Sequence, residues 1–299
     1  REMFESCPGL VVSALLLMAE ALAFIGAAEA DAYSREAEAL TSTLGQAAPA
    51  QFDTMLAMFP IQDAYQGYTE ARNALQMAGP PPSLDIVIAR CKSPLQWLWE
   101  FHLPPQTRVF VYEKCGASSE DLQEQTVGLD PSVRLVQIAV PDETGQLMTG
   151  ECTAYLAHIA RSLGNQDMAD FTVFLHDDAP RHIRLALLAL TFRGMHSGAY
   201  RVPFLHLVHE RYPSFRTPCL AGLYREVFGS ELQGLLGTYC CSHFVVSRDR
   251  VQSRPLEFYL RLLEIVRSSK YAKVNGGECE VGKKPCYVME FLWHHIFGE

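Results

Sequence analysis

Four short apolar runs constrain this chain more than anything else in it. They are Leu84 to Arg90 (LDIVIAR), Thr107 to Tyr112 (TRVFVY), Val133 to Val140 (VRLVQIAV) and Phe171 to Leu175 (FTVFL). Each is too short for a stable helix and dense in β-branched or aromatic residues. Each therefore reads as a strand buried on both faces. Helical patterns stand among them. PLQWLWEF, residues 94–101, is a helical turn, and ECTAYLAHIARSL, residues 151–163, repeats its apolar positions at spacings of three and four. Strands alternating with helices predict a mixed or mostly parallel sheet flanked by helices, an α/β fold of Rossmann-like type. The pattern then loosens. A helix is expected over 183–199, an irregular stretch rich in His, Arg and aromatics over 203–218, a strand over 239–246 and a helix over 256–268.

A sheet of this kind receives ligands beyond the carboxyl ends of its strands. The fourth run stops at such an end, in His176-Asp177-Asp178. Two readings of the carboxylates stay open: they hold a divalent cation, or they cap the turn that begins at Ala179-Pro180. His176 either binds the same ligand or packs behind them. His206 and His209, spaced i, i+3 with no carboxylate motif beside them, make a poor metal site.

The 299 residues carry a net charge of −9, which argues against a nucleic-acid footprint. The charge is uneven: residues 1–80 hold ten acidic and three basic side chains. Gly79-Pro80-Pro81-Pro82 is the clearest linker. The chain therefore divides into a helical N-terminal extension, residues 1–80, and an α/β domain, residues 81–299. Within the extension, residues 10–28 (LVVSALLLMAEALAFIGAA) are interrupted only by Ser13 and Glu20. As a helix this stretch reaches about 28 Å, close to the hydrocarbon thickness of a bilayer, although a mid-span Glu is costly there. It is expected as an ordered helix, anchored in a membrane or packed on a partner protein. A targeting segment and a helix packed on its own domain are the other readings. A membrane-associated chain, of the secretory pathway or an organelle membrane, is the expectation.

Nine cysteines stand at 7, 91, 115, 152, 219, 240, 241, 279 and 286. The odd number leaves at least one outside any intrachain bridge. Cys279 and Cys286 flank a Gly/Lys-rich loop, where they either close a hairpin-like bridge or remain thiols. Adjacent Cys240 and Cys241 are expected as packing thiols, since neighbouring residues bridge poorly. No CxxC, GxSxG, complete P-loop, GxGxxG or HExxH occurs, which sets aside the common hydrolase, kinase-like and zinc-protease readings.

Six segments stand in order from residue 84 to residue 298: DIVIARCKSPLQWL, RVFVYEKCG, GECTAYLAHIA, DFTVFLHDDAPRH, YCCSHFVVSRDRVQSRPLEFY and VMEFLWHHIFG. Together they resemble a family of eukaryotic glycosyltransferase-like proteins, common in fungi and algae and catalogued mainly as a domain of unknown function. The resemblance implies a glycosyltransferase A-like fold with a nucleotide-sugar half and an acceptor half. It implies Mn²⁺ or Mg²⁺ on the sugar-nucleotide diphosphate, held by a carboxylate motif after a central strand, here Asp177 and Asp178. It further implies a late ligand at His294 or His295, a base at Glu290, and cofactor contacts from Arg90, Glu151 and His176. Hard oxygen donors suit those cations. Two functions follow. One is metal-dependent transfer of a sugar from a nucleotide sugar to an acceptor. The other is a catalytically silent accessory subunit of a membrane-associated, organellar complex, held to partner subunits through residues 1–80. His-Asp-Asp in place of the family's usual Asp-x-Asp favours the second, because a fold can persist without its chemistry.

Overall fold

The computed structural model describes residues 80–116, 128–142, 149–183, 185–208, 211–215, 218–268 and 286–298. The expected helix at 10–28 and Cys279 lie outside these residues. Among the described residues, no helix is long and apolar enough to cross a membrane.

The four apolar runs form four parallel strands, β1 (Leu84–Arg90), β2 (Arg108–Glu113), β3 (Arg134–Ala139) and β4 (Phe171–His176). Every residue of β1 is buried. Burial of an Ile, Val or Leu side chain contributes roughly 2 kcal/mol, so a strand apolar on both faces has no stable place at an edge. β1 accordingly lies between β2 and β4, while β3, none of whose residues is fully buried, takes the edge. Side chains alternate between two cores. Val87, Phe110, Tyr112 and Phe174 face one; Ile86, Ile88, Val109, Val111 and Leu175 face the other.

Helices cover both faces. α1 (Gln96–Trp99) and α3 (Leu185–His196) pack on the second core, and α2 (Cys152–Gly164) packs on the first. Beyond α3 come β5 (Phe204–His206), β6 (Arg211–Phe215), α4 (Pro218–Phe228), β7 (Leu236–Tyr239) and β8 (Phe244–Ser247). The chain continues through α5 (Arg248–Gln252), α6 (Leu256–Arg267), α7 (Cys286–Glu290) and α8 (Trp293–Ile296). α6 lies against α2 on the first core. The six-stranded sheet runs β3-β2-β1-β4-β8-β5, with β8 antiparallel to both β4 and β5. This is the mixed, mostly parallel α/β fold that the apolar runs predict.

Three local expectations are corrected. Residues 239–246 are not one strand, because Cys241 and Ser242 take φ of 69° and 43° and turn the chain between β7 and β8. The stretch expected to be irregular supplies β5 and β6, and β6 pairs with β7 in a separate ribbon. A three-residue strand and a strand with Pro213 inside it give too little period to detect. Glu290 does not share one continuous helix with Trp293 and His294: α7 ends at Glu290 and α8 begins at Trp293.

Candidate functional site

The chain leaves β1 toward β2 and β3, then returns to β4 on the other side of β1. The carboxyl ends of β1 and β4, where Ala89 pairs with His176, are therefore the point of order reversal where open α/β sheets form a crevice. Asp177 sits there, buried. Its Oδ2 accepts three consecutive backbone N–H groups from the loop after β1, Cys91 at 2.8 Å, Lys92 at 2.9 Å and Ser93 at 2.8 Å. The Trp97 indole donates to the Asp177 carbonyl at 2.9 Å. Successive backbone N–H groups in a turn form a concave anion receptor, and here the chain's own carboxylate fills it. The capping reading is corrected at the same time. Asp178 stands at the cap position of the 3-10 turn Ala179–Arg181 and makes no capping hydrogen bond.

Asp178 instead faces imidazoles. Its Oδ1 is 3.8 Å from His176 Nδ1, and its Oδ2 is 3.3 Å from His182 Nε2. On the far side of the His176 ring, Nε2 lies 3.9 Å from Glu151 Oε2. The His243 ring centre is 4.3 Å from that of His176, and His243 Nδ1 accepts the His176 backbone N–H at 3.4 Å. A neutral His243 that accepts at Nδ1 carries its proton on Nε2.

Two glutamates close the cluster, Glu151 before α2 and Glu290 at the end of α7, both held by the turn between β7 and β8. Ser242 Oγ donates to Glu151 Oε1 at 2.9 Å and accepts from the Trp293 indole at 3.1 Å. Cys241 N–H donates to Glu290 Oε2 at 2.7 Å. Three residues of one turn thus touch both glutamates and His176. A disulfide between Cys152 and Cys286 ties the start of α2, beside Glu151, to the start of α7, which ends at Glu290. Gly150 permits the approach: its φ is 91°, and a Cβ there would meet Cys286 Cβ at 2.5 Å.

Burial and crowding set the protonation states. Burial, then the nearby Glu151, push the Glu290 carboxyl up to about 8, against the stabilising Cys241 N–H. Glu290 is therefore largely protonated at neutral pH. Burial, then Glu151, Glu290, Asp177 and Asp178, raise the Tyr155 hydroxyl well above its usual range, which places that hydroxyl within the field of all four carboxylates. Burial lowers His176 despite Glu151 and Asp178, and lowers His243 further. Both imidazoles are neutral at pH 7. Three buried polar atoms of the cluster, Tyr155 OH, His176 Nε2 and His243 Nε2, have no hydrogen-bond partner. Unpaired buried polar atoms are costly, so the cluster presents polar atoms suited to an external polar group.

The structure gathers some of the expected site residues and parts others. Glu151, His176, Asp178 and Glu290 belong to the cluster. Arg90 is fully buried, donating to Glu113 Oε1 at 2.7 Å and to the Ser93 carbonyl at 3.4 Å, which ties down the loop that receives Asp177. His294 packs its ring with His206, Tyr239 and His295. Among the described residues, the one set of three His, Cys, Asp or Glu donors whose ligand atoms all lie within 4.8 Å of one another is Cys240, Cys241 and Glu290. Asp177, Asp178 and His294 do not form such a set. Asp178 and the two glutamates nonetheless supply hard oxygens of the kind Mn²⁺ or Mg²⁺ takes, although among the described residues they form no closed set.

Sequence reasoning missed Tyr155, His182, Ser242 and His243. The one available signal was Ser242-His243 following a cysteine pair. The cysteine expectations are corrected too. Cys286 bridges Cys152 rather than Cys279, and Cys240 and Cys241 are bonded to each other. A third bridge joins Cys91 to Cys115 across the ends of β1 and β2.

Residues 206–299 match the model of a family described as "Protein of unknown function (DUF3431)". That segment holds Ser242, His243 and Glu290 but not Glu151, His176 or Asp178. The match supports a domain of unknown function there. No curated protein matches the chain.

Proposed function

We propose that this chain is a metal-dependent, glycosyltransferase-like enzyme that takes a nucleotide sugar as donor. One observation carries the reading. The Glu151 and Asp178 carboxylates flank His176 at 3.9 and 3.8 Å, with Asp177 between His176 and Asp178 in sequence, at the carboxyl ends of β1 and β4, where α/β sheets of this order take their ligands. A diphosphate does not settle against that much negative charge unless a divalent cation stands between, so an acidic crevice implies the cation along with the nucleotide. Asp178 and the second oxygen of Asp177 would hold Mn²⁺ or Mg²⁺. When bound, the cation neutralises charge on the departing diphosphate.

The chain's own groups do the rest. Glu290, raised to about 8, is a stronger base than an ordinary carboxylate once ionised. It takes the proton of an acceptor hydroxyl as that oxygen bonds to the anomeric carbon and the bond to the nucleoside diphosphate breaks. Ser242 and Trp293 fix Glu151 through a buried hydrogen-bond chain. His176 and His243, neutral, offer hydrogen bonds to sugar hydroxyls.

A second reading has its own observation. Asp177 already fills the backbone N–H receptor after β1, which favours a silent accessory subunit held to a membrane complex through residues 1–80. The bridges among the described residues support an oxidising compartment such as the secretory pathway for either reading.

Titration calorimetry of Mn²⁺ with UDP on the wild type and on Asp178→Ala separates the two. Binding that needs the metal and is lost in the variant supports the transferase. No heat in either, at millimolar ligand, supports the accessory subunit, and release from membranes on deletion of residues 1–80 then tests its attachment.

A further inference from the structure

Cys240 and Cys241 have no role in the chemistry above, yet they sit at its edge. The pair opens the turn whose next two residues hold Glu151 and His176, and the Cys241 N–H holds Glu290. Both sulfurs and a Glu290 oxygen lie within 4.8 Å of one another. With the bridge closed, the sulfurs have no charge to offer a cation. Opened, the same three residues offer two thiolates and a carboxylate close together.

We propose that reduction of the Cys240–Cys241 disulfide creates a binding site for a Zn²⁺-class cation, with Cys240, Cys241 and Glu290 as ligands. The donor set selects the metal: thiolates favour Zn²⁺ over the hard Mg²⁺ or Mn²⁺. Two sulfurs on a tetrahedral ion stand about 3.7 Å apart when each Zn–S bond is about 2.3 Å, so the opened pair need separate by only about 2 Å beyond the bonded distance. Three protein ligands leave a fourth position for water or a substrate oxygen, the pattern of an open rather than a closed zinc site.

The reductant is a dithiol. Its thiolate attacks Cys241 Sγ, which belongs to the more exposed of the two residues, and Cys240 leaves as the thiolate. The second thiol of the reductant then resolves the mixed disulfide. Two electrons pass from the dithiol to the bridge, the dithiol becomes a disulfide, and the protein gains two thiols. The cation then displaces both thiol protons on binding.

Of the three bridges whose two cysteines are both described, this is the one best placed to open alone. Cys91–Cys115 and Cys152–Cys286 span 24 and 134 residues of sequence, whereas Cys240–Cys241 spans one. Chain-entropy stabilisation grows with the loop closed. By linkage, folding protects the two long-range bridges from reduction and adds little protection to the adjacent pair. Cys152 and Cys286 are in addition fully buried.

The test uses the full chain and Cd²⁺ as the spectroscopic stand-in for Zn²⁺. The chain is reduced with a limiting water-soluble phosphine, desalted anaerobically and titrated with Cd²⁺, following sulfur-to-metal charge-transfer absorption. Alkylation and peptide mapping identify the thiols released. Support consists of absorption saturating at one Cd²⁺ per chain only after reduction, lost in Cys240→Ala/Cys241→Gly and weakened more than about tenfold in Glu290→Gln. Glycine is chosen at 241 because that residue has φ of 69°. If the double variant fails to fold, one equivalent of phenylarsine oxide, which caps adjacent dithiols, serves instead and should abolish the absorption in the wild type. Undiminished absorption after either treatment, no binding when both thiols are free, or unchanged affinity in Glu290→Gln overturns the proposal. None of these results depends on Mn²⁺ or UDP binding, so this site and the transferase reading fail separately.

Discussion

Replacing Asp177 by Ala removes one carboxylate and leaves three consecutive backbone N–H groups without their acceptor. The three bonds measure 2.8 to 2.9 Å, within the range of well-formed charge-assisted bonds, each worth about 1.5–3 kcal/mol net when buried. Lys92 is exposed and Cys91 and Ser93 are half-buried, so water recovers part of the loss and about 1 kcal/mol per bond is the appropriate figure. The expected destabilisation is about 3 kcal/mol, a large share of the 5–15 kcal/mol typical of a folded protein. Asp177→Asn keeps a neutral acceptor and should lose about half as much. Urea unfolding with the disulfides intact, followed by tryptophan fluorescence, reads this directly. All three tryptophans, Trp97, Trp99 and Trp293, lie in the α/β domain, and Trp97 is bonded to Asp177 itself. With a slope near 3 kcal/mol per molar, the midpoint should fall by about 1 M in the Ala variant, with or without Mn²⁺. A fall of less than about 0.2 M without metal, together with Mn²⁺ stabilising the wild type only, would refute the structural role and return Asp177 to cation binding.

Glu290 gives a pH signature. Its folded pKa lies above the ordinary 4.5, at about 8, so its contribution to stability is complete below about pH 4.5 and is lost as pH rises through about 8. Thermal melts should therefore show the wild type losing stability relative to Glu290→Gln between about pH 4.5 and about pH 8, and a constant difference across that range would contradict the raised pKa. Gly150→Ala should cost about 3 kcal/mol, from the clash with Cys286 and a positive φ that alanine resists; an unchanged melting temperature would show that the α2–α7 junction is not tight. Asp85 is fully buried beneath a bidentate Arg108 and lies 3.5 Å from His158. Burial raises its pKa, but His158 and Arg108 together bring it below 3.8. Its contribution is thus present above that pH and lost as pH falls through the lower folded value. Asp85→Ala should cost about 3–5 kcal/mol at neutral pH, and a loss under 1 kcal/mol in a chemical melt would argue against a functioning pair.

The chain's local patterns determined much of this protein. LDIVIAR, apolar on both faces, had to be an inner strand, and the apolar spacing of residues 151–163 had to make a helix lying on the sheet. Those inferences need only the two-residue period of a strand and the 3.6-residue period of a helix, which neighbouring residues carry among themselves. That His176 and the two aspartates stand beyond the carboxyl end of a strand followed from the same alternation, whereas the order that sets β4 beside β1 did not. Tertiary structure alone decided what fills the crevice there. Asp177 turns inward because three N–H groups from residues 91–93 converge on it. Cys286 finds Cys152, 134 positions away, rather than nearby Cys279, because α2 and α7 pack together. Glu151, His176, Ser242, His243 and Glu290 meet only through that packing and through the turn at Cys241. Side chains so far apart in sequence share no local period, and their meeting is fixed by which apolar faces bury one another, a property of the whole fold.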